Sequence, residues 1–121
     1  MTLTYAFLLL LAAASASAAD GALTGKWQVA IDVNGNERQQ ACEFVQKESE
    51  LTGSCQTEGV TVKISGKVED KKVSWSYKSE FQGQPLTAVF RGSLESATKI
   101  VGTVAAAEFG FEGPFTAIQS K

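Results

Sequence analysis

The sequence predicts an all-β protein: an eight-stranded antiparallel up-and-down β-barrel with one disulfide inside a hairpin. Three observations carry this prediction. Apolar and polar residues alternate with period two over most of the chain beyond residue 23, and no stretch has the spacing of an amphipathic helix. Short polar turns break the alternation at short intervals and leave no helical crossover, which gives a meander of antiparallel strands. An apolar residue, any residue and then glycine recurs at Leu23-Thr24-Gly25, Leu51-Thr52-Gly53, Ile64-Ser65-Gly66, Phe90-Arg91-Gly92, Ile100-Val101-Gly102 and Phe111-Glu112-Gly113. Closing such a meander into a barrel removes its edge strands. At eight strands the interior is either just filled by side chains or holds one small ligand.

The first 19 residues carry no charged side chain. Phe7 to Leu11 is an apolar run, and the small-residue tract Ala12 to Ala19 follows it. This reads as a signal peptide over 1–19, cleaved after Ala18 or Ala19. The alternative is an uncleaved anchor, for which the apolar core is short of the ~20 residues of a helical span. Cleavage leaves one domain over 20–121, periplasmic or secreted, with no later segment able to cross a membrane.

The elements follow in order. The first strand runs over about 24–33, with Gly25, Trp27, Val29, Ile31 and Val33 on one face, and ends at the tight-turn pair Asn34-Gly35. The second, about 37–47, turns Cys42 and Phe44 inward, and Glu48-Ser49 reverses the chain. The third, about 50–56, turns Leu51, Gly53 and Cys55 inward. A hairpin folded at Glu48-Ser49 sets Lys47 against Glu50, Phe44 against Gly53 and Cys42 against Cys55. Directly opposed cysteines in a non-hydrogen-bonded pair are close enough to bridge, and an exported chain meets an oxidising compartment. A Cys42–Cys55 disulfide is therefore expected.

Thr57-Glu58-Gly59 turns into the fourth strand, with Val60, Val62, Ile64, Gly66 and Val68 inward, and Glu69-Asp70-Lys71 ends it. The fifth, about 72–81, alternates Val73, Trp75, Tyr77, Ser79 and Phe81 with polar residues up to Gln82-Gly83-Gln84. The sixth turns Leu86, Ala88, Phe90, Gly92 and Leu94 inward; the seventh, Ile100, Gly102, Val104 and Ala106; the eighth, Phe109, Phe111, Gly113, Phe115 and Ala117.

With strands alternating up and down from a bottom at residue 24, Gly25, Gly53, Gly66, Gly92 and Gly102 all fall low, and Gly113 falls nearer the middle of its strand. Missing side chains at one end let the barrel taper there, with Trp27 filling the vacated space. The other end gathers larger and more polar groups: Arg38, Gln40, Tyr77, Ser79, Phe81, Leu86, Phe109 and Phe111. An apolar pocket with a few convergent polar groups is the general form of a small-molecule site. The candidate ligand-binding residues are Arg38, Gln40, Trp75, Tyr77, Ser79, Phe81, Phe109 and Phe111. The alternative is that these rings fill the core and the polar groups cap its rim. Tyr77 bears most on the choice, because a buried phenol needs a hydrogen-bond partner, and only Gln40, Ser79 or a ligand is at hand.

Composition removes several chemistries. The chain has no histidine, which excludes Ser-His-Asp and Cys-His catalysis, H-E-x-x-H sites and His-ligated haem or copper. Two cysteines alone make a poor zinc site, so neither metal nor cofactor is expected. The 11 basic and 13 acidic residues are interspersed without a basic patch, which argues against nucleic acid. The outward face of strands six to eight is less polar than elsewhere, and Val89, Val101, Ala105 and Ile118 form a candidate homodimer contact there.

Gly25-Lys26-Trp27 resembles the G-x-W motif that opens lipocalins and the wider calycin group. The stretch from Leu23 to Trp27, with Leu51-Thr52-Gly53 and Val73-Ser74-Trp75 in the same relative order, is also similar to avidin-type barrels. The lipocalin resemblance implies a small apolar ligand in the open end, and a late arginine packed on the tryptophan, for which Arg91 or Lys121 would have to serve. The avidin resemblance implies biotin binding. That family's polar groups at the second and sixth positions after the tryptophan are replaced here by Val29 and Val33, so biotin is not expected, although Trp75 and Tyr77 fit its aromatic positions.

Two other functions compete with a small-molecule binder. An isomerase or cyclase working inside the barrel would depend on Tyr77, Arg38 and a carboxylate, yet Asp32, Glu43, Glu80 and Glu112 all read as outward. An exported protease-inhibitor-like barrel would need a longer arm than the few residues left before Gly25.

Overall fold

The computed structural model describes residues 21–120; the signal peptide expected over 1–19, and Lys121, lie outside the described residues. The strands are β1 (Gly25–Val33), β2 (Asn36–Lys47), β3 (Glu50–Thr57), β4 (Val60–Glu69), β5 (Lys72–Phe81), β6 (Gln84–Ser96), β7 (Lys99–Ala106) and β8 (Phe111–Gln119). Each pairs with its neighbours in sequence, and β8 returns to β1, so the barrel is closed. One departure from the expected strands is at the start of β8. Ala107–Phe109 form a 3-10 turn closed by Gly110 at φ 66°, so Phe109 belongs to the connection and not to the strand.

Turn chemistry sets the two ends. At the upper end Asn34-Gly35, Glu58-Gly59 and Gln82-Gly83 all place both residues at positive φ, the two-residue geometry whose twist matches that of paired strands. The hairpins they close are paired along their whole length, as in Val33↔Asn36 through Gly25↔Phe44. Between hairpins the ladders are shorter. The β4–β5 ladder ends upward at Ser65↔Ser76, and the β6–β7 ladder at Val89↔Ala105. The upper halves of the hairpins therefore diverge while the lower halves are knitted together.

The hairpin reasoning for β2 and β3 holds residue by residue: Lys47↔Glu50, Phe44↔Gly53 and Cys42↔Cys55 are all register partners. Cys42 and Cys55 are bridged, with Cα atoms 4.0 Å apart. Both are buried in the core.

The glycines do lie low, but the physical reason differs from a simple taper. A Cβ on Gly53, which has φ 142°, would run into the carbonyl of Glu43 on β2. One on Gly102 would run into the carbonyl of Arg91 and the Cα of its partner Gly92. The missing side chains are thus replaced by the backbone of the adjacent strand. Glycine lets strands coil sharply over one another at the narrow end. Gly113 is an upper glycine, where a Cβ would meet Asp32 near the top of β1.

Below the middle, the interior is solid. Trp75 stacks on Phe90 at 4.8 Å and 9°, and Phe115 meets both edge-on at 5.3 and 5.2 Å. Phe44 continues the stack toward Trp27, with centroids 5.0 Å from Trp75 and 5.9 Å from Trp27. Such aromatic pairs add about 0.5–1.5 kcal/mol each beyond the area they bury. Leu23 plugs the bottom, and its carbonyl accepts a hydrogen bond from Trp27 Nε1 at 2.9 Å. The Gln46 side chain accepts from Leu23 N at 3.0 Å, and Ser120 N donates to the Lys26 carbonyl at 2.7 Å. The lower turns are tied together as well: Val68 N donates to Ser49 O and Leu94 N to Lys71 O.

On the outer wall Val89 and Ala105 are direct cross-strand partners, and Val101 lies opposite Thr116, two residues from the exposed Ile118. Arg91 is exposed on β6, so it does not pack on the buried Trp27. Among the described residues no helix is long and apolar enough to cross a membrane.

Candidate functional site

The upper half of the barrel is hollow. A cavity of about 540 Å³ opens between the diverging hairpin tops, within the range of small-molecule sites. Alternation decides what lines it. From β2 come Arg38 and Gln40, from β5 Tyr77, Ser79 and Phe81, and from β8 Phe111. These are six of the eight residues singled out from the sequence. The other two are elsewhere. Trp75 lies one layer lower, in the solid aromatic core, and Phe109 stands in the 3-10 turn against Phe81 and Phe111.

Sequence reasoning did not single out Ile31, Val33, Ala88, Val104 and Ala106 as site residues, yet with Leu86, which it placed at the open end, they form most of the apolar wall. All six face inward by the alternation of their strands. The usable signal was their height: each stands on the upper half of its strand, where nothing fills the lumen.

Three rings brace the mouth. Phe81 meets Phe109 and Phe111 edge-on at 5.3 and 5.4 Å, and those two stack on each other at 5.4 Å and 18°. The cluster runs from the top of β5 to the β7–β8 connection, over the tops of β6 and β7. Glu108 pins that connection, its carboxylate accepting from Thr87 N at 3.1 Å. This backbone hydrogen bond, made to the ionised form, holds the Glu108 carboxyl below its ordinary value.

The polar groups divide by depth. At the rim Arg38 donates to Glu58 at 2.7 Å, with side chains 52% and 72% exposed. Such an exposed pair contributes little to stability, but it neutralises the guanidinium nearest the cavity. Val60, on the same face as Val62, is 52% exposed beside it. Deeper, Gln40 is 3% exposed, and its Nε2 donates to the Tyr77 hydroxyl at 2.7 Å. Burial raises the Tyr77 phenol above its ordinary value, against the smaller opposing effects of the Gln40 hydrogen bond and the Arg38 charge. Tyr77 is therefore a neutral phenol at neutral pH.

Asp32, Glu43, Glu80 and Glu112 are all exposed, so none of these carboxylates is buried beside Tyr77. Among the described residues no three His, Cys, Asp or Glu side chains converge as metal ligands would.

No protein-family model matches the chain, and no curated protein matches it either. Among solved structures it is similar to a redesigned β-barrel at 18% identity and a TM-score of 0.67, covering 83% of this chain and 93% of that one. It is also similar to a second redesigned β-barrel, mFAP1, solved bound to DFHBI, at 19% identity and a TM-score of 0.63, covering 82% of this chain and 95% of that one. At these identities the likeness is one of fold: a closed eight-stranded antiparallel barrel.

Proposed function

We propose that this chain is an exported, lipocalin-like barrel that holds a small, largely apolar molecule in its open end. The observation that carries the reading is the upper cavity: about 540 Å³, walled by aliphatic side chains and rings, above a lower half that is packed solid. A barrel built only for stability has no use for such a void, because each unfilled volume sacrifices packing contacts. That the similar barrel mFAP1 was solved with DFHBI is compatible with a guest in this architecture.

Kinship with lipocalins and the calycin group rests on the G-x-W start, whose Trp27 lies at the plugged end. Export rests on the uncharged first 19 residues and on a disulfide in the core. Mass spectrometry of the protein from its host tests this; a chain starting at Ala19 or Asp20 is expected, and one retaining Met1 refutes it. We also place a homodimer contact on the outer wall at Val89, Val101, Ala105 and Ile118. A sedimentation profile that stays monomeric at high concentration excludes it.

The binding reading is tested by titrating the protein with DFHBI and with naphthalene, followed by calorimetry and by Trp27 and Trp75 fluorescence. Saturable binding that is lost on filling the cavity by Ala88→Phe is expected. No heat and no spectral change with either compound would overturn the reading.

A further inference from the structure

Two buried polar atoms have no hydrogen-bond partner among the described residues: Gln40 Oε1 and Trp75 Nε1. They belong to adjacent layers of the barrel, at the boundary between the solid half and the hollow half. Gln40 is held by its amide nitrogen, which donates to the Tyr77 hydroxyl. The phenol accepts that bond, and its own O–H hydrogen has no acceptor among the described residues. The cavity floor thus carries an unspent donor on Tyr77 beside an amide with one unpaired end. Turning the Gln40 amide about its last torsion lets the Tyr77 hydroxyl donate to its oxygen and leaves an amide N–H unpaired instead, so the pair still offers one donor and one acceptor. A buried polar atom with no partner destabilises the fold, and native barrels keep few of them.

Resting on the binding reading above, we propose that the guest carries a neutral, planar head group with a hydrogen-bond donor next to an acceptor, of the lactam or carboxamide class. Its head sits on the Gln40–Tyr77 pair and its apolar body lies along Ile31, Leu86 and Phe111. Tyr77 donates to the ligand carbonyl, and the Gln40 amide accepts from the ligand N–H.

An anionic head is disfavoured on the same grounds. The one cation lining the cavity among the described residues, Arg38, is already matched by Glu58 at the rim, so a carboxylate on the floor would be buried without a counter-charge. A purely aliphatic or aromatic guest is disfavoured because it would leave both polar groups unpaired beneath it.

The experiment compares three bicyclic probes of similar size by calorimetry: carbostyril, a lactam; naphthalene, with no polar group; and naphthoate, an anion. Carbostyril is expected to bind about tenfold tighter than naphthalene, with naphthoate weakest, one hydrogen bond in a dry site being worth about that factor. Tyr77→Phe and Gln40→Leu should each abolish the advantage of carbostyril over naphthalene. If Gln40→Leu does not fold, Tyr77→Phe alone carries the comparison, since it removes only the hydroxyl. Equal binding of carbostyril and naphthalene overturns the head-group assignment and leaves the cavity reading intact. Tightest binding by naphthoate overturns it in favour of a charged guest. If no probe binds, the cavity reading falls and this inference with it.

Discussion

Replacing both bridged cysteines, in C42A/C55A, tests the physics of the hairpin on which the lower barrel is built. The bridge joins residues 13 apart in sequence. In the chain-entropy model a loop of that length removes about 3 kcal/mol of freedom from the unfolded chain. The hairpin is otherwise fully paired, and Cys42 and Cys55 sit in the core. The native state therefore keeps its register without the bond, and the loss falls mainly on the unfolded side. Truncating two buried sulfurs adds a small cavity term of the same sign. The expected result is a cooperative urea transition, read by the fluorescence of the buried Trp27 and Trp75, with stability lowered by about 3–4 kcal/mol. For a domain of this size that is a fall in Tm of roughly 12–30 °C. A second reading checks the first: both sulfurs are buried, so dithiothreitol should reduce the native protein no faster than it unfolds. A double variant within about 1 kcal/mol of the parent, or reduction that outruns unfolding, would refute the reasoning.

Three further predictions follow from particular contacts. Gly102→Ala should lower stability by about 1–3 kcal/mol, because its Cβ would overlap the backbone of β6; affinity for naphthalene should be unchanged, since the cavity lies at the other end. Gln82→Asn should raise stability by up to about 1 kcal/mol in urea melts, because Gln82 holds φ 53° in a two-residue turn that Asn-Gly fits better. Tyr77 gives a pH dependence: its folded pKa is raised, so the associated stability is fully present below the unfolded value of about 10 and is lost as pH rises through the folded one. Urea midpoints from about pH 8 to 11.5 should fall more steeply for the parent than for Tyr77→Phe.

The fold was legible because period two and turn position determine register together. Once Glu48-Ser49 is taken as the turn, Cys42 must oppose Cys55, and no tertiary information is needed. Direction was equally legible: Gln40, Tyr77, Ser79 and Phe111 all face the lumen. Height across the lumen was not. Trp75 and Tyr77 are two residues apart on one face of one strand, yet Trp75 meets rings from β2, β6 and β8 while Tyr77 touches Phe90 and lines the cavity. That difference depends on how far seven other strands are offset, which no local pattern encodes. Phe109 failed for another reason. Phe109-Gly110-Phe111 imitates strand alternation, but Gly110 adopts the left-handed conformation and ends a 3-10 turn. The low glycines could be located by counting, but not the neighbouring carbonyls that replace their side chains.

The first and last described segments are bound to one another at the plugged end, through Ser120 N to the Lys26 carbonyl and the Gln119 amide to the Thr24 carbonyl. Anything joined to the barrel on either side, whether a tether, a reporter or another folded unit, must leave from that pole. The mouth then faces away from the attachment, free to meet whatever diffuses past. The same proximity means that the chain could be rewired, joining residue 120 to residue 21 and cutting at Gln82-Gly83, with every strand left in its place.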